Sequence, residues 1–205
     1  MINLGDKNWG VKDSGLLAYK QVGSKFFNKD FDFTRASNGT YVDKDGVLQT
    51  AELYNLIIYS SDFNESSWNY KSGDSSTGGQ TGYDGSSNAW LLNVNAGGYA
   101  VYQDFVASGV YNFSLYVKKG TIDVVQIDLF SSSLTWSGQF NLTSGTDVGG
   151  GNTISRTITD VGNGWYRVNI AANVSSNLYA RIGSVSQMGN FYIQDAQIVE
   201  GTEPR

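Results

Sequence analysis

Three aromatic residues with polar neighbours are the side chains of this sequence best suited to ligand chemistry. Tyr116, Trp165 and Tyr179 occupy positions that the alternation of apolar and polar residues assigns to the polar faces of strands. Exposed rings on a sheet stack on sugar faces, with amides and carboxylates beside them as hydrogen-bonding groups. Gln126 and Asp128 alternate with apolar residues and are the candidates for those bonds. The alternative is that the three rings pack under loops or in a subunit interface, where Tyr and Trp are also enriched.

Carboxylates are the groups that remain for catalysis, because the chain contains no Cys and no His. Lack of Cys excludes disulfides and thiolate zinc sites, and lack of His removes the commonest general base. Glycoside hydrolysis needs two carboxyl groups about 5–9.5 Å apart across a cleft. Asp123 and Asp128 lie on one predicted strand at an odd spacing and so face opposite ways. Asp104 and Glu200 cannot be paired from the sequence, which therefore predicts a protein that is not an enzyme.

Composition narrows the class of protein further. The chain has 205 residues, a net charge of −5 and no basic run, so the electrostatic footprint of a nucleic-acid-binding protein is missing. No apolar run of about 18 residues predicts a membrane span. The first ten residues do not have the pattern of a standard secretory signal. Hydrophobic residues make up 40% of the chain, which is enough for a core.

One hairpin organises the second half of the sequence. The segment 153–172 contains two alternating runs joined at Asn163-Gly164, the strongest short hairpin signal because both turn residues must take positive φ. After the turn, Tyr166 and Val168 share one face with Ile170, while Trp165 lies on the other. The pattern predicts two paired strands with one buried face.

Regularly spaced strands predict the fold class. From residue 89 onward the turns recur every 8–12 residues or so, which is typical of a two-sheet sandwich or jelly roll. The clearest core face alternates Tyr111, Phe113, Leu115 and Val117 with polar residues. The sequence therefore predicts an all-β jelly-roll β-sandwich. The predicted strands cover residues 89–94, 99–107, 110–118, 122–130, 134–142, 154–160, 165–172, 178–185 and 191–200.

Three regions of the chain are expected. Residues 1–34 contain isolated aromatic residues without persistent alternation, which indicates an extended N-terminal arm that buries those rings on a partner. The alternative is an N-terminal strand pair packed on the same domain. Residues 35–55 are predicted to form a short β-hairpin connector, and residues 56–205 the sandwich. Within the sandwich, residues 56–59 predict a short apolar strand and residues 71–88 a long flexible surface loop.

Several short motifs occur in an order that resembles bacteriophage tail-fibre and head-fibre proteins with a carbohydrate-binding-module-like jelly roll. The resemblance covers residue 33 to the C-terminus. This sequence departs from the phage fibre pattern in two places. The segment before Asn55 is shorter, and the sequence ends at Arg205, which predicts either the end of a fibre or one piece of a longer polypeptide. The motifs are Phe33-Thr34-Arg35-Ala36-Ser37, Thr40-Tyr41-Val42-Asp43 with Asp45-Gly46, Asn55-Leu56-Ile57 with Tyr59-Ser60, Asp62-Phe63 and Trp68, Tyr116-Val117-Lys118, 160–167, and Ala196-Gln197-Ile198 with Glu200-Gly201.

The resemblance implies a non-catalytic virion protein displayed on the phage particle. It further implies a homotrimer, docking on other virion proteins through the arm, and contact with glycans on the host surface. Jelly rolls of this kind often hold a structural calcium, and the resemblance places one carboxylate at Asp195, completed by Asp62 or Glu65, since calcium prefers oxygen ligands. A solvated or turn-capping role for Asp195 is the alternative.

Two further classes of protein stay open. One is a secreted carbohydrate-binding module of a bacterial enzyme, against which the missing secretory signal argues. The other is a glycan depolymerase, against which the missing acid pair argues. The sequence leaves open whether a fibre subunit would sit on the head or the tail, and which sugar it would bind.

Overall fold

The computed structural model describes residues 55–204 in full and, before them, the backbone of five strands. The chain divides into two compact units, 1–52 and 53–205. In the first unit, β1 (Trp9–Lys12), β2 (Gly15–Val22) and β3 (Lys25–Asn28) form an antiparallel meander. There, β4 (Gly39–Val42) and β5 (Leu48–Ala51) also pair as a hairpin. The described segments of the predicted arm are thus strands paired with one another, and its anchoring role stays a prediction.

The described strands of the second unit all pair in antiparallel fashion. Sheet A has the order β14-β15-β10-β17-β8-β7, and sheet B has the order β13-β12-β11-β16-β9-β6, counting strands along the chain. The strands are β6 (Asn69–Tyr70), β7 (Ser75–Gln80), β8 (Ala89–Val94), β9 (Gly98–Val106), β10 (Gly109–Lys119), β11 (Val124–Phe130), β12 (Thr135–Asn141), β13 (Thr146–Gly151), β14 (Ser155–Gly162), β15 (Trp165–Val174), β16 (Asn177–Ser184) and β17 (Gly189–Glu200). The predicted all-β jelly-roll sandwich is confirmed.

The core lies between the two sheets and follows the alternation of the sequence. Phe113, Leu115 and Val117 of β10 are completely buried, as is Ile170 of β15. Ile170 faces Gly138 of β12, where an added Cβ would come within 2.6 Å of the Ile170 side chain. The glycine therefore permits the close approach of sheet B to sheet A at this point.

Three short edge strands were not predicted. β7 lies inside the segment 71–88 expected to be a flexible loop, and β13 and β6 had no strand signal. All three are outermost in their sheets, so each pairs on one side only. Ser75–Gln80 and Thr146–Gly151 consist mostly of small and polar residues, because an edge strand needs backbone pairing more than an apolar face.

The predicted strand over residues 56–59 is wrong. This segment is a series of bends and turns, although Ile57 is buried. Asn55 causes the bend, because its Oδ1 accepts hydrogen bonds from the Ile57 and Ile198 amides while its Nδ2 donates to the Ala196 carbonyl. The apolar run therefore enters the core as a turn tied to β17. Within the described part of the chain, no helix is long and apolar enough to cross a membrane.

The turn of the 153–172 hairpin generates a stability prediction. Asn163 and Gly164 have φ values of 54° and 77°, as a two-residue hairpin loop requires. Gly164→Val places a β-branched residue in the left-handed region and should lower the free energy of unfolding by about 1–3 kcal/mol in urea titrations. Asn163→Gly is the matched control and should cost little, because glycine adopts positive φ freely. Equal midpoints for Gly164→Val and the wild type would contradict the assigned turn.

Candidate functional site

The outer face of sheet B brings together three of the residues predicted from the sequence. β11 directs Gln126 and Asp128 outward, since Val125, Ile127 and Leu129 point into the core. The neighbouring β16 places Arg181 directly opposite Asp128 and Tyr179 opposite the last residue of β11. Tyr179 is 39% exposed, so this ring is open to a ligand.

Two aromatic rings pack against the guanidinium of Arg181 on this face, and two more rings pack beside them. Its central carbon lies 4.0 Å from the centre of the Phe130 ring and 4.9 Å from that of Tyr99. Tyr102 packs edge-on against Tyr179 at 5.6 Å and against Tyr99 at 5.7 Å, and Phe130 lies 6.3 Å from Tyr179. These five side chains, which we call the aromatic face, line an open cavity of about 240 Å³.

A buried ion pair holds the centre of the aromatic face. Arg181 Nε donates to Asp128 Oδ1 at 2.5 Å, and the two side chains are 16% and 3% exposed. Burial raises the pKa of the Asp128 carboxyl, and the hydrogen bonds from Arg181 and Gln126 oppose that rise. The pair thus neutralises both charges while the cation–π contacts fix the guanidinium plane.

An amide relay extends from this ion pair along the sheet. Gln126 Nε2 donates to Asp128 Oδ2 at 2.9 Å, and Gln139 Nε2 of β12 donates to Gln126 Oε1 at 3.3 Å. An ionised carboxylate only accepts hydrogen bonds, so Asp128 fixes the orientation of both amides. The relay therefore leaves Gln139 Oε1 as an outward-facing acceptor.

A glycine on β16 positions Tyr99. The register between β16 and β9 shifts at Gly183, where Tyr99 becomes its partner. A Cβ on Gly183 would lie 2.2 Å from the Gly98 carbonyl oxygen, and Gly98 itself has φ of 111°. Only glycine permits this close approach, and the resulting bulge turns Tyr99 toward Arg181.

Tyr116 lies on the other sheet, away from the aromatic face. Its ring stacks on Tyr83 with centres 3.6 Å apart and planes 11° from parallel, so one of its faces is already covered. Burial, followed by the hydrogen bond with Tyr116, raises the pKa of Tyr83 to about 12. Arg167 lies 5.3 Å from the Tyr116 ring, and Asp195 lines the same small cavity. The structure thus does not unite Tyr116 with Tyr179.

The calcium site predicted at Asp195, completed by Asp62 or Glu65, stays a prediction. Asp62 Oδ1 accepts a hydrogen bond from the Asn64 amide in a local turn. Asp195 sits in a bulge of β17 with φ of 51°, and burial, followed by the charge of Asp84, raises its pKa. Gln194 Nε2 lies between these two carboxylates, 3.3 Å from Asp195 and 3.4 Å from Asp84. Residues 55–204 contain no group of three or more acidic side chains able to hold a metal ion.

The prediction that Trp165 stacks on a sugar is wrong. It does lie on the face of β15 opposite Val168, but only 1% of its surface is exposed. Its ring centre lies 6.4 Å from that of Tyr192 on β17. A buried indole offers no face to a sugar, and alternation identified its side of the sheet without revealing that this side is covered.

Tyr99, Tyr102 and Phe130 are site residues that the sequence reasoning missed. Phe130 follows Gln126 and Asp128 at the same spacing of two, so the outward pattern of β11 already pointed to it. Tyr102 stands opposite Arg181 only through the pairing of β9 with β16, which are far apart in sequence. Local periodicity carries no information on such a partner.

Comparisons with known proteins give matches to solved structures only. No protein-family profile matches the chain, and no curated protein sequence does. A family 61 carbohydrate-binding module, TmCBM61, in complex with β-1,4-galactotriose is 11% identical, with a TM-score of 0.46 over 73% of this chain and 99% of the module. A family 22 module of Clostridium thermocellum Xyn10B is 17% identical, with a TM-score of 0.47 over 68% and 89%. The enzymatically active domain of bacteriophage CBA120 tailspike protein 4 is 15% identical, with a TM-score of 0.42 over 71% of this chain and 21% of that one.

The burial of Trp165 generates a prediction that separates core from ligand-binding aromatic residues. Trp165→Ala should lower the free energy of unfolding by about 3–5 kcal/mol, because a large buried side chain is lost. Tyr59→Ala is the matched control, since Tyr59 is 54% exposed outside the strands, and it should cost less than about 1 kcal/mol. Chemical denaturation measures both, and similar small losses would show that Trp165 is exposed in solution.

Proposed function

We propose that this chain is a non-catalytic glycan-binding protein and that the aromatic face is its binding site. The observation that carries the proposal is the cluster of four rings that lines one open sheet face together with the guanidinium of Arg181, whose charge is paired with Asp128. Aromatic side chains bury the apolar faces of sugar rings, and a few placed polar groups set their orientation. Gln126 and Arg181 stand beside the rings as those polar groups.

Charge balance favours a neutral glycan. The charge of Arg181 is compensated by Asp128 at 2.5 Å. At the rim, Lys71 Nζ lies 5.7 Å from the Tyr99 ring and donates to the Gly97 carbonyl, while Asp104 stands opposite Tyr179. Because Lys71 and Asp104 carry opposite charges, the rim has no electrostatic potential of one sign that would attract an ionic polysaccharide.

The carboxylate of the aromatic face is poorly suited to catalysis. A glycosidase acid must donate a proton to the leaving oxygen, and a nucleophile must reach the anomeric carbon. Asp128 is 2% exposed, and its two oxygens are engaged by Arg181 and Gln126. Binding without hydrolysis therefore fits its environment better than a depolymerase does.

We further propose that the setting is a phage fibre, on the head or the tail, where copies act together. A single stacked site would be weak, on the order of millimolar or about −4 kcal/mol. Several copies in one particle raise avidity by orders of magnitude without new contacts. The motif order from Phe33 to Gly201 resembles that of phage fibre proteins, which supports a virion subunit. By the same resemblance, the proposed subunit is trimeric and held by its N-terminal region. A module of a secreted bacterial enzyme is the second candidate, because the aromatic face would serve it equally well.

Removing rings from the aromatic face should weaken glycan binding. We expect the wild type to bind neutral soluble polysaccharides in affinity electrophoresis, with Tyr102→Ala and Tyr179→Ala each weakening binding at least tenfold. Tyr102→Phe keeps the ring and should retain most of the affinity. Tyr59→Ala, an exposed tyrosine outside the strands, should bind as the wild type does. Absence of binding across a broad glycan array, or equal loss in Tyr59→Ala, would contradict the proposal.

Self-association tests the fibre setting separately. Sedimentation equilibrium of the full chain should give a trimer at micromolar concentration, as expected for a fibre subunit. A monomer that still binds glycan would favour the enzyme-module alternative, because such modules work as appended single domains. Glycan binding and oligomeric state are thus measured independently. A negative result for the fibre setting does not contradict the glycan-binding site, and the reverse also holds.

A further inference from the structure

A second cavity on the outer face of sheet B lies beside the end of the amide relay. Val124, Val148 and Val185 give it apolar walls, and Gln139, Ser186 and Gln187 complete its lining. We call this open cavity of about 300 Å³ the valine hollow. Val148 and Val185 are 48% and 45% exposed, so both present methyl groups to solvent.

Gln187 is fixed in the valine hollow by the main chain. Its Oε1 accepts hydrogen bonds from the amides of Asp123 and Val124, both at 2.9 Å. Two N–H donors identify this atom as the oxygen and leave Nε2 as the free end of the side chain. Ser184 Oγ also donates to the Gln187 carbonyl, which holds the loop. Nε2 has no acceptor among the described residues, so the hollow contains an oriented hydrogen-bond donor.

Gln139 supplies an oriented acceptor to the same hollow. Its Nε2 is committed to Gln126, whose own amide is committed to Asp128, so its Oε1 stays available. A bulge at β13 adds an extra residue, Val148, between the partners of Gln139 and Phe140. Bulges re-aim side chains, and this one brings an apolar group beside the acceptor.

We infer that the valine hollow binds the acetamido group of an N-acetylated sugar. The acetamido N–H donates to Gln139 Oε1, its carbonyl accepts from Gln187 Nε2, and its methyl group contacts the three valines. A hydroxyl in its place leaves the valines without contact. An O-acetyl ester carries no N–H and leaves Gln139 unpaired, which costs affinity in a desolvated site.

The hollow and the aromatic face fit one extended ligand. Both lie on the outward side of β11, whose residues 124 and 130 are about 20 Å apart at the rise of a strand. The relay from Gln139 to Arg181 connects them without interruption. The inference rests on the proposed function, since the aromatic face supplies the stacking and the hollow selects the substituent.

The test compares two sugar hexamers that differ only in the substituent at carbon 2 of each ring, acetamido in one and hydroxyl in the other. In calorimetric titrations, N-acetylated chito-oligosaccharide should bind at least tenfold more tightly than the matched cello-oligosaccharide, a difference of about 1.4 kcal/mol. Gln187→Glu keeps an oxygen for the two backbone amides but removes the donor, and it should abolish the difference while leaving cello-oligosaccharide binding unchanged. Val148→Asp should do the same, with Ile154→Asp as its control, because Ile154 is 54% exposed outside the hollow.

The outcomes separate the two proposals. Equal affinity for both hexamers, or a preference that survives Gln187→Glu and Val148→Asp, overturns the acetamido site and leaves the aromatic face intact. A third outcome is that neither hexamer binds, but the wild type binds a polysaccharide identified in the glycan array and Tyr102→Ala does not. This outcome also overturns only the acetamido site. Failure of both hexamers together with a negative array overturns both proposals.

Discussion

The buried ion pair between Asp128 and Arg181 is the interaction on which the outer face of sheet B depends. Burying two charges costs several kcal/mol per ion, and breaking such a pair from one side costs about 3–5 kcal/mol because the other charge is left uncompensated. The pair therefore holds Arg181 flat against Phe130 and Tyr99. The same carboxylate sets the direction of the amide relay through Gln126. One contact thus orients both the rings and the polar groups of the face.

Sheet topology, rather than local sequence, assembles this interaction. Asp128 meets Arg181 because β11 pairs with β16, and Arg181 meets Tyr102 because β16 pairs with β9. The absence of a side chain at Gly183 then lets β9 bulge toward β16. A Cβ there would force the two strands apart, so a residue with no chemistry of its own is needed for the placement of Tyr99. The aromatic face is therefore formed by β9, β11 and β16, which are adjacent in the sheet but not consecutive in the sequence.

The sequence predicted the elements well where one side of a strand is apolar. Alternation identified the nine strands from residue 89 onward that enclose the core, together with the outward position of Gln126, Asp128 and Tyr179. It did not identify β6, β7 or β13, since edge strands need little apolar surface. It also misjudged Trp165, because a period of two gives the side of a sheet and nothing about what covers that side. Cross-strand partners such as Tyr102 lie beyond any local pattern.

A rigid face matters most for a ligand that binds weakly. Each immobilised side chain costs about 0.5–1.5 kcal/mol on binding, which is a large share of the roughly 4 kcal/mol that a millimolar site provides. On sheet B that ordering is already present in the free protein, because Arg181 is held by Asp128 and by two rings, and Gln187 by two backbone amides. The ionised Asp128 carboxylate that achieves this is buried, and both of its oxygens are engaged by Arg181 and Gln126. Under the proposed function, the arrangement that pre-orders the face for a ligand therefore also keeps this carboxylate away from proton transfer.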